Sequence, residues 1–128
     1  MIRRTFLLAI AALALAVANA DAAERHPYES AAFRTAVDSG KTILVHVTAP
    51  WCAECKLQKP IVAAITAQPE YDGLTIFDVD FDTQKDALRA LKVQTQSTLI
   101  VYRDKVETTR AVGITQRSAI EAVLRKAL

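Results

Sequence analysis

The chain has 128 residues, with 16 Lys and Arg against 14 Asp and Glu, a formal charge of +2, 52% hydrophobic residues and two cysteines. A length of this order suits one compact domain with one core. No basic run and no interleaving of aromatic with basic residues is present, so nothing in the charge pattern supports nucleic-acid binding.

From the amino terminus, Arg3 and Arg4 form a basic head, Phe6 to Val17 is an uncharged apolar run, and Ala18-Asn19-Ala20 is a small-x-small pattern. This shape is that of a cleaved secretory signal peptide over residues 1–20, of a bacterial type that leads to the periplasm. The apolar run falls short of the roughly 20 residues a spanning helix needs. Ala20-Asp21-Ala22 offers a second cut. Cleavage removes two basic residues and no acid, so the expected mature charge is near zero and the mature domain is expected to be soluble. Export brings two cysteines into an oxidising compartment, where a disulfide can persist.

Residues 21–28 are short, polar and contain Pro27, and read as a lead-in to a folded domain over 29–128. The spacing of Ala32, Phe33, Ala36 and Val37 predicts a helix over 29–39, with Ser30 as a cap and Gly40 just past its end. Residues 42–48 are β-branched and apolar enough for a strand buried on both faces, the central position of an α/β sheet. A second helix is predicted from Cys52 to about residue 67, with Pro60 inside it and Leu57, Ile61, Ala64 and Ile65 facing inward. Pro69 and Gly73 mark a turn before a strand over 74–79. Asp80, Asp82 and Thr83 are candidate caps for a third helix, whose inner face is Ala87, Leu88 and Leu91. Residues 98–102 and 106–112 form an antiparallel pair, and Thr115 caps a last helix with Ala119, Ile120, Val123 and Leu124 inward.

Both cysteines fall in Ala49-Pro50-Trp51-Cys52-Ala53-Glu54-Cys55-Lys56, where a strand and a short loop feed a helix. The leading sulfur then lies over unpaired N–H groups and the positive end of the helix dipole, which favours thiolate, the attacking form. The second thiol lies one turn on, near enough to close a small disulfide and release what the first has captured. A structural staple is the weaker reading, since so short a loop gains little chain-entropy stabilisation. Zinc normally takes four ligands, and one molecule offers only Cys52, Cys55, His26 and His46.

With Trp51 before Cys52, Lys56 after Cys55, Pro60 beyond, the strand Ile43-Leu44-Val45-His46-Val47 upstream, and Ser97 to Tyr102 and Val112-Gly113 downstream, the chain resembles the thioredoxin superfamily over about residues 28–128. The resemblance implies an α/β fold: a three-layer sandwich with a central mixed sheet of about four strands flanked by helices, the family's first strand being short or missing. It also implies a protein-disulfide oxidoreductase with no organic cofactor and no metal, in which Cys52 is the nucleophile and Cys55 the resolving thiol. On this reading Cys52 is exposed and Cys55 tucked beneath it. Its partners are protein thiols and disulfides, and a reductase in an oxidising compartment needs a membrane electron donor to recharge it.

Around the pair, Trp51 offers a flat apolar contact to a substrate chain. Glu54 and Lys56 tune the redox balance in opposite directions, Glu54 by opposing a nearby thiolate, which leans the pair toward the reductase side. Two departures from the superfamily stand out. Where it resembles itself in a cis-proline beside the cysteines, this chain has Ser97, in a loop with Gln96 and Thr98 that would meet the substrate. A trans Gln96-Ser97 bond is expected, because cis before serine costs about 2.5 to 4 kcal/mol. Ser97 is then a hydrogen-bond donor to a Cys52 thiolate, an opening for a metal, or a tolerated loop residue. The second departure is His46, where the family buries an acid. It is a candidate proton carrier for the resolving thiol or a hydrogen-bonded core residue. The alternatives to an oxidoreductase are a copper or zinc chaperone using the same thiolates and a non-catalytic binding domain.

Overall fold

The structure is a computed structural model that describes residues 22–128. The signal-peptide reading of residues 1–20 and both cleavage patterns lie outside the described residues. Among the described residues no helix is long and apolar enough to cross a membrane.

The sheet has five strands, β1 (Glu24–Pro27), β2 (Ile43–Thr48), β3 (Thr75–Asp80), β4 (Thr98–Arg103) and β5 (Val106–Val112), in the order β1-β3-β2-β4-β5. Four helices, α1 (Ser30–Asp38), α2 (Ala53–Thr66), α3 (Lys85–Leu91) and α4 (Arg117–Leu124), cover its two faces. β1 and β2 both run parallel to β3, while β4 runs antiparallel to β2 and to β5. β2 is therefore central, as its unbroken apolar run implies, and its first five residues are buried.

The mixed sheet flanked by helices is as expected, with five strands against about four, and the additional one lies inside what reads in sequence as the lead-in. Glu24 to Pro27 shows no apolar alternation because all four residues are exposed at the sheet edge, where a proline costs no ladder bond. Its pairing with β3 and the ion pair of Arg25 with Asp78 hold it there. The folded unit thus begins by Glu24 rather than at residue 29.

Strand periodicity divides the core. Ile43, Val45 and Val47 of β2 pack with Phe77, Val79 and Ile100 against Phe33 and Ala36 of α1 and Ala87, Leu88 and Leu91 of α3. Leu44 faces the other way, with Ile76, Leu99 and Val101, against Val62 and Ile65 of α2 and Ile120 and Leu124 of α4. Each face buries a cluster that no single helix could cover alone.

Local chemistry differs from expectation at several ends. Neither Ser30 nor Thr115 caps its helix: Glu29 and Gln116 occupy the cap positions without side-chain bonds. Asp80 closes a turn instead, accepting from the N–H groups of Asp82 and Thr83, and α3 starts after Gln84. The inward face of α2 is Cys55, Gln58, Val62, Ile65 and Thr66. Of the four expected inward residues only Ile65 is fully buried, and Leu57 is 57% exposed. The β4–β5 hairpin turns on Asp104 and Lys105, both at positive φ, the geometry whose twist matches two-residue hairpins.

Candidate active site

β2 ends at Thr48, and Ala49-Pro50-Trp51 carries the chain over the carboxyl end of the sheet to Cys52. Cys52 is the N-cap of α2, in extended backbone, and its Sγ accepts from the Cys55 N–H at 3.2 Å. A cap residue normally presents an oxygen to that amide. Here sulfur takes the place, so the reduced atom would sit against a helix N–H and the positive end of a 14-residue helix. The two cysteines are joined as a disulfide, with Cα atoms 5.3 Å apart.

Cys52 is 1% exposed and Cys55 fully buried, which corrects the expectation of an exposed leading cysteine. Ala49 packs on the pair and Phe81 closes it from the loop after β3. The surface above belongs to Trp51, 58% exposed. Its indole Nε1 donates to both carboxylate oxygens of Asp82, at 2.9 and 3.1 Å, and its ring meets Phe81 edge-on at 6.4 Å. Asp82, which reads in sequence as a helix cap, is instead the group that fixes Trp51.

Glu54 and Lys56 are both exposed in the first turn of α2. Glu54 brings a carboxylate oxygen within 3.8 Å of the Cys52 sulfur. A negative charge there would oppose a thiolate on Cys52 directly.

Beneath the pair lies a buried polar cluster. His46 points from β2 to the α2 side, and its Nε2 lies 3.0 Å from Gln58 Oε1. The other ring nitrogen, Nδ1, is buried without a partner. Burial lowers its pKa from 6.5 to about 4, against the opposing pull of the Gln58 bond, so the ring is neutral at physiological pH. Among the described residues His46 makes no hydrogen bond to either cysteine. The Gln58 amide nitrogen donates to the carbonyls of Ser97, at 3.1 Å, and Ile114, at 2.9 Å.

The Gln96-Ser97 peptide is trans, and Ser97 sits at φ +56°, a left-handed conformation that costs a non-glycine residue about 1 to 3 kcal/mol. Its carbonyl also accepts from the Gly113 N–H at 3.0 Å. Thr98 is buried with its hydroxyl on the Thr95 carbonyl, and Gln96 is half-buried. Gln58 had no signal as a lone polar residue. Its helical phase with Cys55 and Val62, at offsets of three and four, is what places it inward.

Among the described residues no group of three or more histidine, cysteine, aspartate or glutamate side chains is gathered to hold a metal ion.

The thioredoxin family model matches residues 24–126. A thioredoxin of Mycobacterium tuberculosis is 34% identical over 91 residues, 70% of this chain and 78% of that protein. The thioredoxin H-type of Fagopyrum esculentum is 32% identical over 81 residues, 63% of this chain and 68% of that one. Among solved structures, that of Trxlp from Edwardsiella tarda superposes with a TM-score of 0.73 at 45% identity, covering 78% of this chain and 95% of that one.

Proposed function

This chain belongs to the thioredoxin family, and we propose that it works as an exported, periplasmic reductase of protein disulfides through Cys52 and Cys55. Thiol-disulfide oxidoreductase chemistry in general comes with the family. The observation that carries the assignment is Cys52 Sγ as the cap of α2, 3.2 Å from the Cys55 N–H and already bonded to Cys55.

In the reducing direction the Cys52 thiolate attacks a substrate disulfide, and one substrate sulfur leaves as a thiolate that takes a proton. Cys55 then loses its proton and attacks Cys52 Sγ. The Cys52–substrate bond breaks, the second substrate thiolate leaves, and the Cys52–Cys55 disulfide closes. Two electrons pass to the substrate. His46 is the proton carrier for the second step: burial keeps the ring neutral, so it has a free nitrogen lone pair to accept the proton. Trp51, Gln96, Ser97 and Thr98 make the surface that meets the substrate chain.

The reductase direction is supported by Glu54, since the strongest oxidants of this chemistry depend on a highly stabilised thiolate and Glu54 works against one. The periplasmic address is supported by the leader pattern of residues 1–20. A reductase there needs two electrons returned by a membrane electron donor, a dithiol carrier facing the same compartment. Reduction of a peptide disulfide under a thiol donor, compared between the native protein and Cys52→Ser, tests the assignment. Turnover lost in the variant supports it, and equal rates would remove it. Amino-terminal sequencing of protein from a periplasmic extract tests the address: a start near residue 21 is expected, and a start at Met1 would contradict it.

A further inference from the structure

The Gln58 amide has only one orientation that satisfies its surroundings. Two of its three partners, the carbonyls of Ser97 and Ile114, can accept but not donate, so the amide nitrogen must face them. The amide oxygen therefore faces His46, and at 3.0 Å it requires a proton on His46 Nε2. A neutral imidazole carries one N–H, so Nδ1 is bare. It is also the ring nitrogen that is buried with no partner. Gln58 lies one turn from Cys55 on the same inward stripe of α2, and residues three apart on a helix are neighbours on one face.

We propose that Gln58 is a positioning residue of the exchange: its amide locks His46 as the Nε2–H tautomer, presents Nδ1 as the proton-accepting atom, and ties the Ser97 loop to the helix that carries both cysteines. This rests on the oxidoreductase reading above. In the resolving step the Cys55 S–H proton goes to His46 Nδ1. The electron pair left on Cys55 forms the bond to Cys52 Sγ, and the substrate sulfur departs with the pair of the broken bond. The same amide touches the backbone at Ser97, so a substrate that moves this loop also moves the group that sets the tautomer. The charged groups around the imidazole are Lys59 from α2, Arg25 from β1 and Asp78, its register partner on β3, which is paired with Arg25. None of them hydrogen-bonds the ring.

The test is the two-bond proton–nitrogen correlation pattern of the His46 ring in labelled native protein, together with the rate of mixed-disulfide resolution in Gln58→Met and Gln58→Glu. The expected native spectrum at neutral pH is a single tautomer with Nε2 protonated and Nδ1 bare. Gln58→Met keeps the volume and removes the amide. It should mix the tautomers and slow resolution by about tenfold or more, a larger loss than in the first attack by Cys52, which feels Gln58 only through the Ser97 loop. Gln58→Glu keeps an acceptor for Nε2–H, so it should restore the single tautomer and shift the inflection of the rate–pH profile upward. A native spectrum with Nδ1 protonated, or a Gln58→Met protein that keeps both tautomer and rate, overturns the proposal. Native protein that exchanges no disulfide removes the oxidoreductase reading and the role in exchange with it, while the ring spectrum reports the tautomer separately.

Discussion

The two faces of the sheet are built from the same strands and differ in what they exclude. Toward α1 and α3 the core is aromatic: Phe33 meets Tyr28, Phe77 and Tyr102 at ring-centroid distances of 5.2 to 5.7 Å, and the buried Thr98 on that face spends its hydroxyl on the Thr95 carbonyl. Toward α2 the same central strand presents His46, and α2 answers with Gln58. Buried polar groups are costly unless paired. One face thus carries the aromatic packing, and the face toward α2 keeps an imidazole and an amide paired inside it.

The sharpest separation of the two faces is a pair of substitutions. Cys52→Ser should abolish disulfide reduction while leaving the denaturation midpoint of the reduced protein nearly unchanged. Phe33→Ala should cost about 3 to 5 kcal/mol of stability and leave exchange intact where the protein is still folded. An active Cys52→Ser protein, or a Phe33→Ala protein that is stable yet inactive, would break the comparison.

A second difference is pH. An unfolded chain protonates His46 near pH 6.5, whereas the folded protein refuses that proton until about pH 4. Stability therefore falls as pH drops through this window, by an amount on the order of 3 kcal/mol, and levels off below it. Asp78 acts in the opposite sense, because burial raises its carboxyl and the folded state takes up its proton first. Urea midpoints across the window in native protein and in His46→Leu separate the two: the acid loss should disappear in the variant, and a loss that persists would place its origin elsewhere.

Smaller effects belong to the loop and the surface. Ser97→Pro should destabilise by about 1 kcal/mol or more, because proline fixes φ near −65° and the loop holds +56°. Leu57→Ser should change stability by less than about 0.5 kcal/mol, since Leu57 already faces solvent beside the redox pair.

The fold was legible where one signal governed a segment. The apolar run of β2, the helical spacing in α1 and α3, and the hairpin at Asp104-Lys105 each carry their structure in local pattern. β1 was not legible, because an exposed edge strand of four residues owes its existence to β3 rather than to its own composition. The phase of α2 was misread for a related reason. Apolar residues at 57, 61 and 64 suggested one inward face, but the capping sulfur of Cys52 sets Cys55 inward and Gln58 follows from it. The cysteines themselves were plain in the sequence, as were Trp51 and the departure at Ser97. What joins His46 to Ser97 was not, because a glutamine gives no hint of burial until its three partners are seen around it.

Equilibration of the Cys52–Cys55 pair with glutathione in metal-free buffer tests the central claim most directly. A two-electron equilibrium with a potential near thioredoxin's, about −270 mV, is the expected result. A potential near −120 mV would make the protein an oxidant and contradict the role assigned to Glu54, and the lack of any two-electron equilibrium would contradict the exchange reaction itself.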